Sequence, residues 1–315
     1  LLVGGGAAIW AAYTYVGLTQ PGTANAATTG RVGALIDAAA KGDVSAIKRE
    51  VEAKSDVNVR TMENGQFKGM TPLIIAARAG HLGAVKALIA AGARVDAADD
   101  DKRPAAMYAA LSEDTAILQT LVDAKANVNV RDENGWTPLM LACARGSVGN
   151  VETLLQAGAA VESRNKFGQT ALMQAVLAGE TAKAKVEALL KAGAAVDAVS
   201  NTNATALILA AESGNDPAVL EMLLKKGANI NAADEDGMTP LLKAANRGSA
   251  DMVRLLVLNR ADTNARDKRF GWTAAEWAKN RGDEDEAGLA VLGALGLGKA
   301  SITVEPQPPA KPEGR

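Results

Sequence analysis

The chain has 315 residues, with 34 basic and 36 acidic side chains for a net charge of −2, and its aromatics amount to only 3%. That length suits two ordinary domains or one extended repeat array, and the balanced charge gives no basic excess to mark a nucleic-acid partner. With Cys143 the sole cysteine and His81 the sole histidine, an intramolecular disulfide and a cysteine-based metal cluster are excluded, and a conventional catalytic triad would have to rest on single copies, so neither enzyme chemistry nor a cofactor is expected.

Residues 1–30 carry no charged side chain, and Arg31 is the first. The apolar run "LLVGGGAAIWAAYTYVGL" is broken at Pro21, and Ala24-Asn25-Ala26 fits the small-x-small pattern of a signal-peptidase site. Residues 1–26 therefore read as a signal peptide cut once, after Ala26, with Ala24 and Ala26 as the small pair of the site, which puts the folded part in the periplasm or outside the cell. A retained anchor is the alternative, since residues 1–18 at 1.5 Å each would reach about 27 Å, the lower edge of a bilayer span.

From Gly33 onward one phrase recurs. "GALIDAAAKG" (33–42), "GMTPLIIAARAG" (69–80), "RPAAMYAALSE" (103–113), "GWTPLMLACARG" (135–146) and "GQTALMQAVLAG" (168–179) are followed by "NATALILAAESG" (203–214), "GMTPLLKAANRG" (237–248) and "GWTAAEWAKNRG" (271–282). The threonine slot falls at 33, 71, 104, 137, 170, 205, 239 and 273. Threonine before Pro72, Pro138 and Pro240 predicts a hydroxyl-capped helix start with proline at N1. Leu73, Ile74 and Ala76-Ala77 supply a narrow apolar face, and Gly80, Gly146, Gly179, Gly214 and Gly248 are expected to end the helix in a left-handed conformation. A second helix follows, stopped by Gly92, Gly158, Gly193 and Gly227, with Lys54, Lys125 and Arg260 in that slot elsewhere. Phrases such as "KANVNVR" and "GANINAA" then lead to "DxxG" turns at 132–135 and 234–237.

This pattern resembles the ankyrin repeat, whose period is 33 and whose helix start is T-P-L-H-x-A. The resemblance covers roughly residues 31 to 300 and implies an all-α solenoid: stacked helix-turn-helix repeats linked by β-hairpin-like finger loops, about eight in number, the first and last acting as caps. The histidine slot holds Ile74, Met140, Met173, Ile208 and Leu242 instead, so the hydrogen bonds it would lend the loops are missing. Residues 301–315, "SITVEPQPPAKPEGR", read as an extended proline-rich tail.

Arrays of this kind bind proteins on the concave face, lined by fingers and exposed first-helix positions. Phe67, Trp136, Phe167, Phe270 and Trp272 all fall on fingers, and Met70 and Met238 share the slot before threonine with Trp136 and Trp272. Large apolar residues there are candidate hot spots, with Arg78, Arg103, Arg145, Glu212 and Arg247 as a polar rim. The competing reading is that a residue before threonine packs on the neighbouring finger. Tyr108 and Trp277 share the first-helix slot of Ile75 and are expected in the core. Cys143 should pack as a small apolar residue, and His81 should serve the turn into its second helix.

"GALGLGKAS", Gly293 to Ser301, nearly matches a phosphate-binding loop, but Ala300 stands where the magnesium-binding hydroxyl belongs, and a helix precedes the motif where a strand is required. A nucleotide-using enzyme built on Gly293–Lys299 is therefore a remote alternative. The acidic turn 234–237 fails the calcium-loop spacing, so no metal is expected. What emerges is an exported, non-enzymatic binding module of the bacterial envelope holding a protein partner. The alternative is a membrane-tethered scaffold organising envelope proteins.

Overall fold

The computed structural model describes residues 31–61, 68–214, 216–281 and 285–297. The leader with Ala24 and Ala26, the candidate Phe67 and the proline-rich tail lie outside the described residues. Among the described residues no helix is long and apolar enough to cross a membrane.

Helices begin where the hydroxyls stand. Thr71, Thr137, Thr170, Thr205 and Thr239 each accept a hydrogen bond from the amide three residues on, at 3.3–3.5 Å, which satisfies a donor that the first helical turn leaves open. Thr273 adds a reciprocal contact from Glu276, completing a capping box. The helices so started are α3 (Pro72–Arg78), α7 (Pro138–Arg145), α9 (Ala171–Ala175), α11 (Ala206–Ser213), α13 (Pro240–Arg247) and α15 (Ala274–Lys279). α1 (Arg31–Lys41) and α5 (Ala105–Ala109) complete this inner layer; α5 starts at Pro104 without a side-chain cap.

Inner helices are buried almost all round. Leu73 to Ala77, all five residues of α5 and Leu139 to Cys143 are at most 6% exposed. Paired alanines keep these helices thin, so neighbours approach closely. The outer helices bury one stripe only: α4 (Leu82–Ala90) buries Ala84, Val85 and Leu88, and α6 (Ala116–Asp123) buries Ile117, Leu118 and Leu121. The same spacing recurs in α8 (Val148–Gln156), α10 (Ala182–Lys191), α12 (Pro217–Lys225) and α14 (Ala250–Leu258), whereas α2 (Val44–Glu52) buries Ile47 and α16 (Glu286–Ala294) buries Gly288, Val291 and Leu292. Inner helices pack on inner and outer on outer, each pair closing on the next, and a single apolar cluster runs the length of the array. The result is an all-α solenoid, each unit burying its face against its neighbours.

Outer helices stop at a left-handed residue. Gly92, Gly158, Gly193 and Gly227 have φ of 81–88°, and Lys54, Lys125 and Arg260 adopt φ of 59–67° in the same slot despite their side chains. The hydrogen bonds match too: Ala159 donates to Leu154 O and Ala126 to Leu121 O, both at 2.9 Å.

The inner-helix glycines divide. Gly80, Gly179, Gly214 and Gly248 are left-handed, but Gly146 has φ −81° and ψ −178°, an extended conformation open to any residue. It is glycine for another reason: a Cβ there would stand 2.0 Å from Ala110 O of the preceding repeat. Carbonyls left open at inner-helix ends are met from the following repeat. His81 Nε2 donates to Ala40 O at 3.0 Å, Asn150 Nδ2 to Ala109 O and Ser112 O, Lys185 Nζ to Cys143 O at 3.1 Å, and Arg281 Nη1 to Asn246 O at 2.9 Å. His81 thus serves its turn, as the sequence implies, by bridging two repeats.

Candidate functional site

The surface that could receive a partner is built on the loops between repeats, and each loop hangs from one buried side chain. Asp99, Asp132, Asn165, Ser200, Asp234 and Asp267 stand at these roots, 3–8% exposed. Asp132 Oδ1 accepts from Asn134 N and Trp136 N at 2.9 Å each, and Asn165 Oδ1 from Phe167 N at 2.9 Å and Gln169 N at 3.0 Å. Asp234 Oδ1 accepts from Asp236 N at 3.0 Å and Met238 N at 2.8 Å. One oxygen therefore organises a whole turn, and a backbone bond, such as Asp132 N to Trp136 O at 3.0 Å, closes it. The fingers are closed turns; the one β-bridge outside strands among the described residues is Ala98 with Pro104.

The second carboxylate oxygen is also occupied, by a different donor each time. Tyr108 Oη donates to Asp99 Oδ2 at 2.5 Å, Arg103 Nε to Asp132 Oδ2 at 3.2 Å, and Trp277 Nε1 to Asp267 Oδ2 at 3.1 Å. Lys243 Nζ lies 3.2 Å from Asp234 Oδ2 and 3.3 Å from Glu212 Oε1. Burial works against the Lys243 ammonium, but those two carboxylates outweigh it and raise its pKa above the ordinary lysine value. Burial likewise pushes Asp99 above the usual carboxylate range, although Tyr108 and the Arg103 amide pull it down, and Tyr108 itself is driven well above its normal value.

Neighbouring fingers are bonded to each other. The amide just after each root donates to the preceding finger: Glu133 N to Asp101 O at 3.1 Å, Lys166 N to Asn134 O at 2.9 Å, Asn201 N to Phe167 O at 2.9 Å, Glu235 N to Thr202 O at 3.0 Å, and Lys268 N to Asp236 O at 2.8 Å. A parallel set uses the "VN" and "VD" phrases. Asn58, Asp96, Asn129, Asp197 and Asn231 each accept, through Oδ1, an amide of the next repeat at 2.7–2.9 Å. These two ladders give the loops the rigidity that the absent histidines would otherwise supply.

Burial separates the candidate contact residues. Met70 at 3%, Trp136 at 8% and Met238 at 7% lie in the core, contrary to their expected exposure, because a residue before threonine is covered by the neighbouring finger. Arg103 is held between Asp101 and Asp132 with its side chain 15% exposed, so it joins two fingers. Glu212 pairs with Lys243, and Arg247 is exposed with its stem against Gly214 of the repeat before. Arg78 is half-buried and Arg145 exposed.

Phe167 stays at the surface, 37% exposed, and Val199 on the next finger is 39% exposed. Val199 carries no signal of its own in the sequence; it is a lone apolar residue beside a loop root.

Phe270 and Trp272 are half-buried on the last finger and form a cluster with Trp277. Ring centroids are 4.8 Å apart for Phe270–Trp272 and 5.1 Å for Trp272–Trp277, and the Arg269 guanidinium lies 5.0 Å from the centre of the Phe270 ring. Trp277 is thus only half-buried, where Tyr108 in the same slot is 6% exposed. No later finger among the described residues covers it.

Buried chemistry elsewhere packs the array. Cys143 is fully buried, and desolvation pushes its thiol up to about 12. Lys185, invisible to sequence reasoning because its neighbours Lys183 and Lys191 are exposed, is 2% exposed, and burial lowers its pKa. The stretch from Gly293 to Leu297 closes α16, with Gly296 left-handed at φ 78°, so the described part of the glycine-rich motif is a helix end. Lys299 lies outside the described residues.

A family model described as "Ankyrin repeats (3 copies)" matches residues 35–132, 107–199, 139–234, 183–269 and 207–287. Among solved structures, the chain is similar to the human ASB11 ankyrin repeat domain, with 27% identity, a TM-score of 0.64, and coverage of 71% of this chain and 98% of that one. Comparison with curated protein sequences finds no match.

Proposed function

The chain belongs to the ankyrin repeat family, and from that membership we propose that it is an exported, non-enzymatic module that holds a protein partner on its fingers and concave face. Ankyrin repeats typically mediate protein–protein interaction, and the fold is generally a binding module with no catalytic role. The observation that carries the reading is the pairing of Phe167 and Val199. Of the large apolar side chains exposed among the described residues, these two stand on adjoining, hydrogen-bonded fingers. Rigid fingers lose little entropy on binding, which is what a preorganised contact surface requires. Arg145 and Lys166, both exposed, supply the polar surround, and Phe270 with Trp272 extends the apolar contact toward the last repeat.

The test is site-specific photo-crosslinking in the native cell. A benzoylphenylalanine replaces Phe167 in one chain and Leu258, 75% exposed on an outer helix, in another. The expected result is a discrete protein adduct from position 167 and none from 258. Equal adducts from both positions, or adducts from 258 alone, would refute binding through the fingers.

Export rests on the charge-free residues 1–30 and the Ala24-Asn25-Ala26 site. Mapping the mature N-terminus by mass spectrometry tests it. A start near Ala27 in a periplasmic or secreted fraction is expected. A membrane-bound chain retaining residues 1–18 would favour the tethered scaffold instead.

A further inference from the structure

The slot just before the loop root recurs once per repeat. Arg60, Arg131, Arg164 and Arg266 hold it ahead of Thr61, Asp132, Asn165 and Asp267, and Val199 holds it ahead of Ser200. Two of these arginines are neutralised: Arg60 pairs with Asp100 at 2.7 Å and Arg266 with Glu276 at 3.1 Å. The middle two are not. Arg131 Nη2 donates to the Arg164 carbonyl and Arg164 Nε to Gly168 O at 3.1 Å, so both guanidinium groups are fixed by backbone and remain exposed. Lys166 beside them is exposed too, and none of the three is ion-paired with a carboxylate among the described residues.

The loops that carry this charge also lack acidic roots. Asn165 and Ser200 stand where Asp99, Asp132, Asp234 and Asp267 stand elsewhere. Glu162 and Asp197, the acids that lead into them, each accept an amide of the next repeat at 2.9 Å, from Ala195 and Asn229. The loops adjoin. Asn201 N donates to Phe167 O and Asn201 Nδ2 to Lys166 O, both at 2.9 Å. A Cβ on Gly135 would stand 2.9 Å from Arg131 Nη2 and 3.3 Å from Lys166 N, which sets the Arg131 guanidinium against the same finger. Three cations without ion pairs thus share a surface with Phe167 and Val199.

Taking the fingers as the contact surface, as the proposed function does, we propose that this surface takes an acidic, extended segment of a protein partner. Its carboxylates meet Arg131, Arg164 and Lys166, and an adjoining apolar side chain rests on Phe167 and Val199. Guanidinium groups already oriented by carbonyls lose little freedom on meeting a carboxylate, and each keeps N–H donors for a forked pair. Acids bound the surface on both sides, with Asp100, Asp101 and Glu133 before it and Glu235 and Asp236 after it, all exposed. A short run of carboxylates beside an apolar residue fits that pattern. A nucleic-acid strand, charged at every nucleotide, would be carried onto the flanking acids.

Titration of the full chain with blocked peptides, followed by NMR, tests this. A Glu-Glu-Asp-Leu peptide is expected to bind saturably and shift the Arg131 and Arg164 side-chain N–H and Val199 methyl signals, and a Lys-Lys-Lys-Leu peptide to leave them in place. Only the backbone of Lys166 is hydrogen-bonded, so Lys166→Glu keeps the fold and should weaken the acidic peptide about fivefold, while Lys86→Glu, exposed on α4, should leave its affinity unchanged. Failure of the acidic peptide to bind, equal binding of both peptides, or indifference to Lys166→Glu overturns the proposal. Tighter binding of a short oligothymidylate also overturns it and assigns the surface to nucleic acid. Self-association in light scattering that Lys166→Glu abolishes overturns it in favour of a second copy. A crosslinked adduct at position 167 formed equally by wild type and Lys166→Glu overturns the acidic partner and leaves binding through the fingers standing.

Discussion

Gly146→Ala and Gly158→Ala form a pair in which backbone and packing arguments predict opposite orders. Gly158 has φ 81° and nothing within 4 Å of the point where a Cβ would stand, so alanine there meets only left-handed strain. That costs about 1 kcal/mol, partly offset by the stiffer unfolded chain. Gly146 sits at φ −81°, where alanine is at ease, but its Cβ would stand 2.0 Å from Ala110 O and 3.0 Å from Ala142 Cα. A carbon–oxygen contact needs about 3.3 Å, so the carbonyl must move by more than about 1 Å. Neither atom is the free end of a flexible side chain, and Ala110 O also accepts from Asn150 Nδ2 at 3.4 Å. Overpacking of this kind costs about 3 kcal/mol. Urea titration followed by far-UV circular dichroism should therefore rank Gly146→Ala well below Gly158→Ala, with melting temperatures lowered by about 9 °C and 3 °C. Amide exchange should locate the first loss at the α5–α7 contact. A Gly146→Ala chain as stable as Gly158→Ala would refute the close-approach reasoning.

Asp132→Ala should destabilise by about 3 kcal/mol in the same titration, since it strands two amides and Arg103 Nε, while Glu133→Ala at the exposed neighbouring position should stay within about 0.5 kcal/mol. Lys125→Gly should stabilise by about 1 kcal/mol, because Lys125 holds φ 67° where its counterparts are glycine. Lys185 gives a pH signature. Burial depresses its folded-state pKa, so between that value and 10.5 the folded chain binds fewer protons than the unfolded one, and stability rises with pH across that window. Melting temperatures of wild type relative to Lys185→Met should climb as pH is raised through that window toward 10.5; a difference that falls or stays flat up to 10.5 would show that the buried amine is not desolvated.

The repeat was legible because it is written in local chemistry. Thr-Pro before an apolar run and glycine after it specify a helix start and stop without reference to anything distant, and register alone places Lys54, Lys125 and Arg260 in the glycine slot. What could not be read were choices made by a neighbouring repeat. Gly146 resembles Gly80 in sequence, yet it is extended and small because Ala110 lies above it. Lys185 is one lysine among several on its helix, and only the open carbonyl of Cys143 tells it apart. Trp277 shares its slot with Tyr108, but burial there depends on the repeat that follows.

The same dependence governs the candidate site. In a globular core a tryptophan's exposure follows from its own element; in a stacked array it follows from whether another unit comes next. Trp136 and Trp272 stand in identical positions, before Thr137 and Thr273, each amide held by a root aspartate. One is 8% exposed and the other half-buried. An aromatic before threonine is therefore a packing residue wherever a further repeat covers it. Phe167 differs in kind. It sits two residues after its root, at the tip, where its carbonyl joins the ladder and its ring stays outside. The tip position can vary without cost to the stack, because the ladder uses only its backbone. The two positions therefore carry different loads: the slots before threonine pack the array, and the tips leave their side chains at its surface.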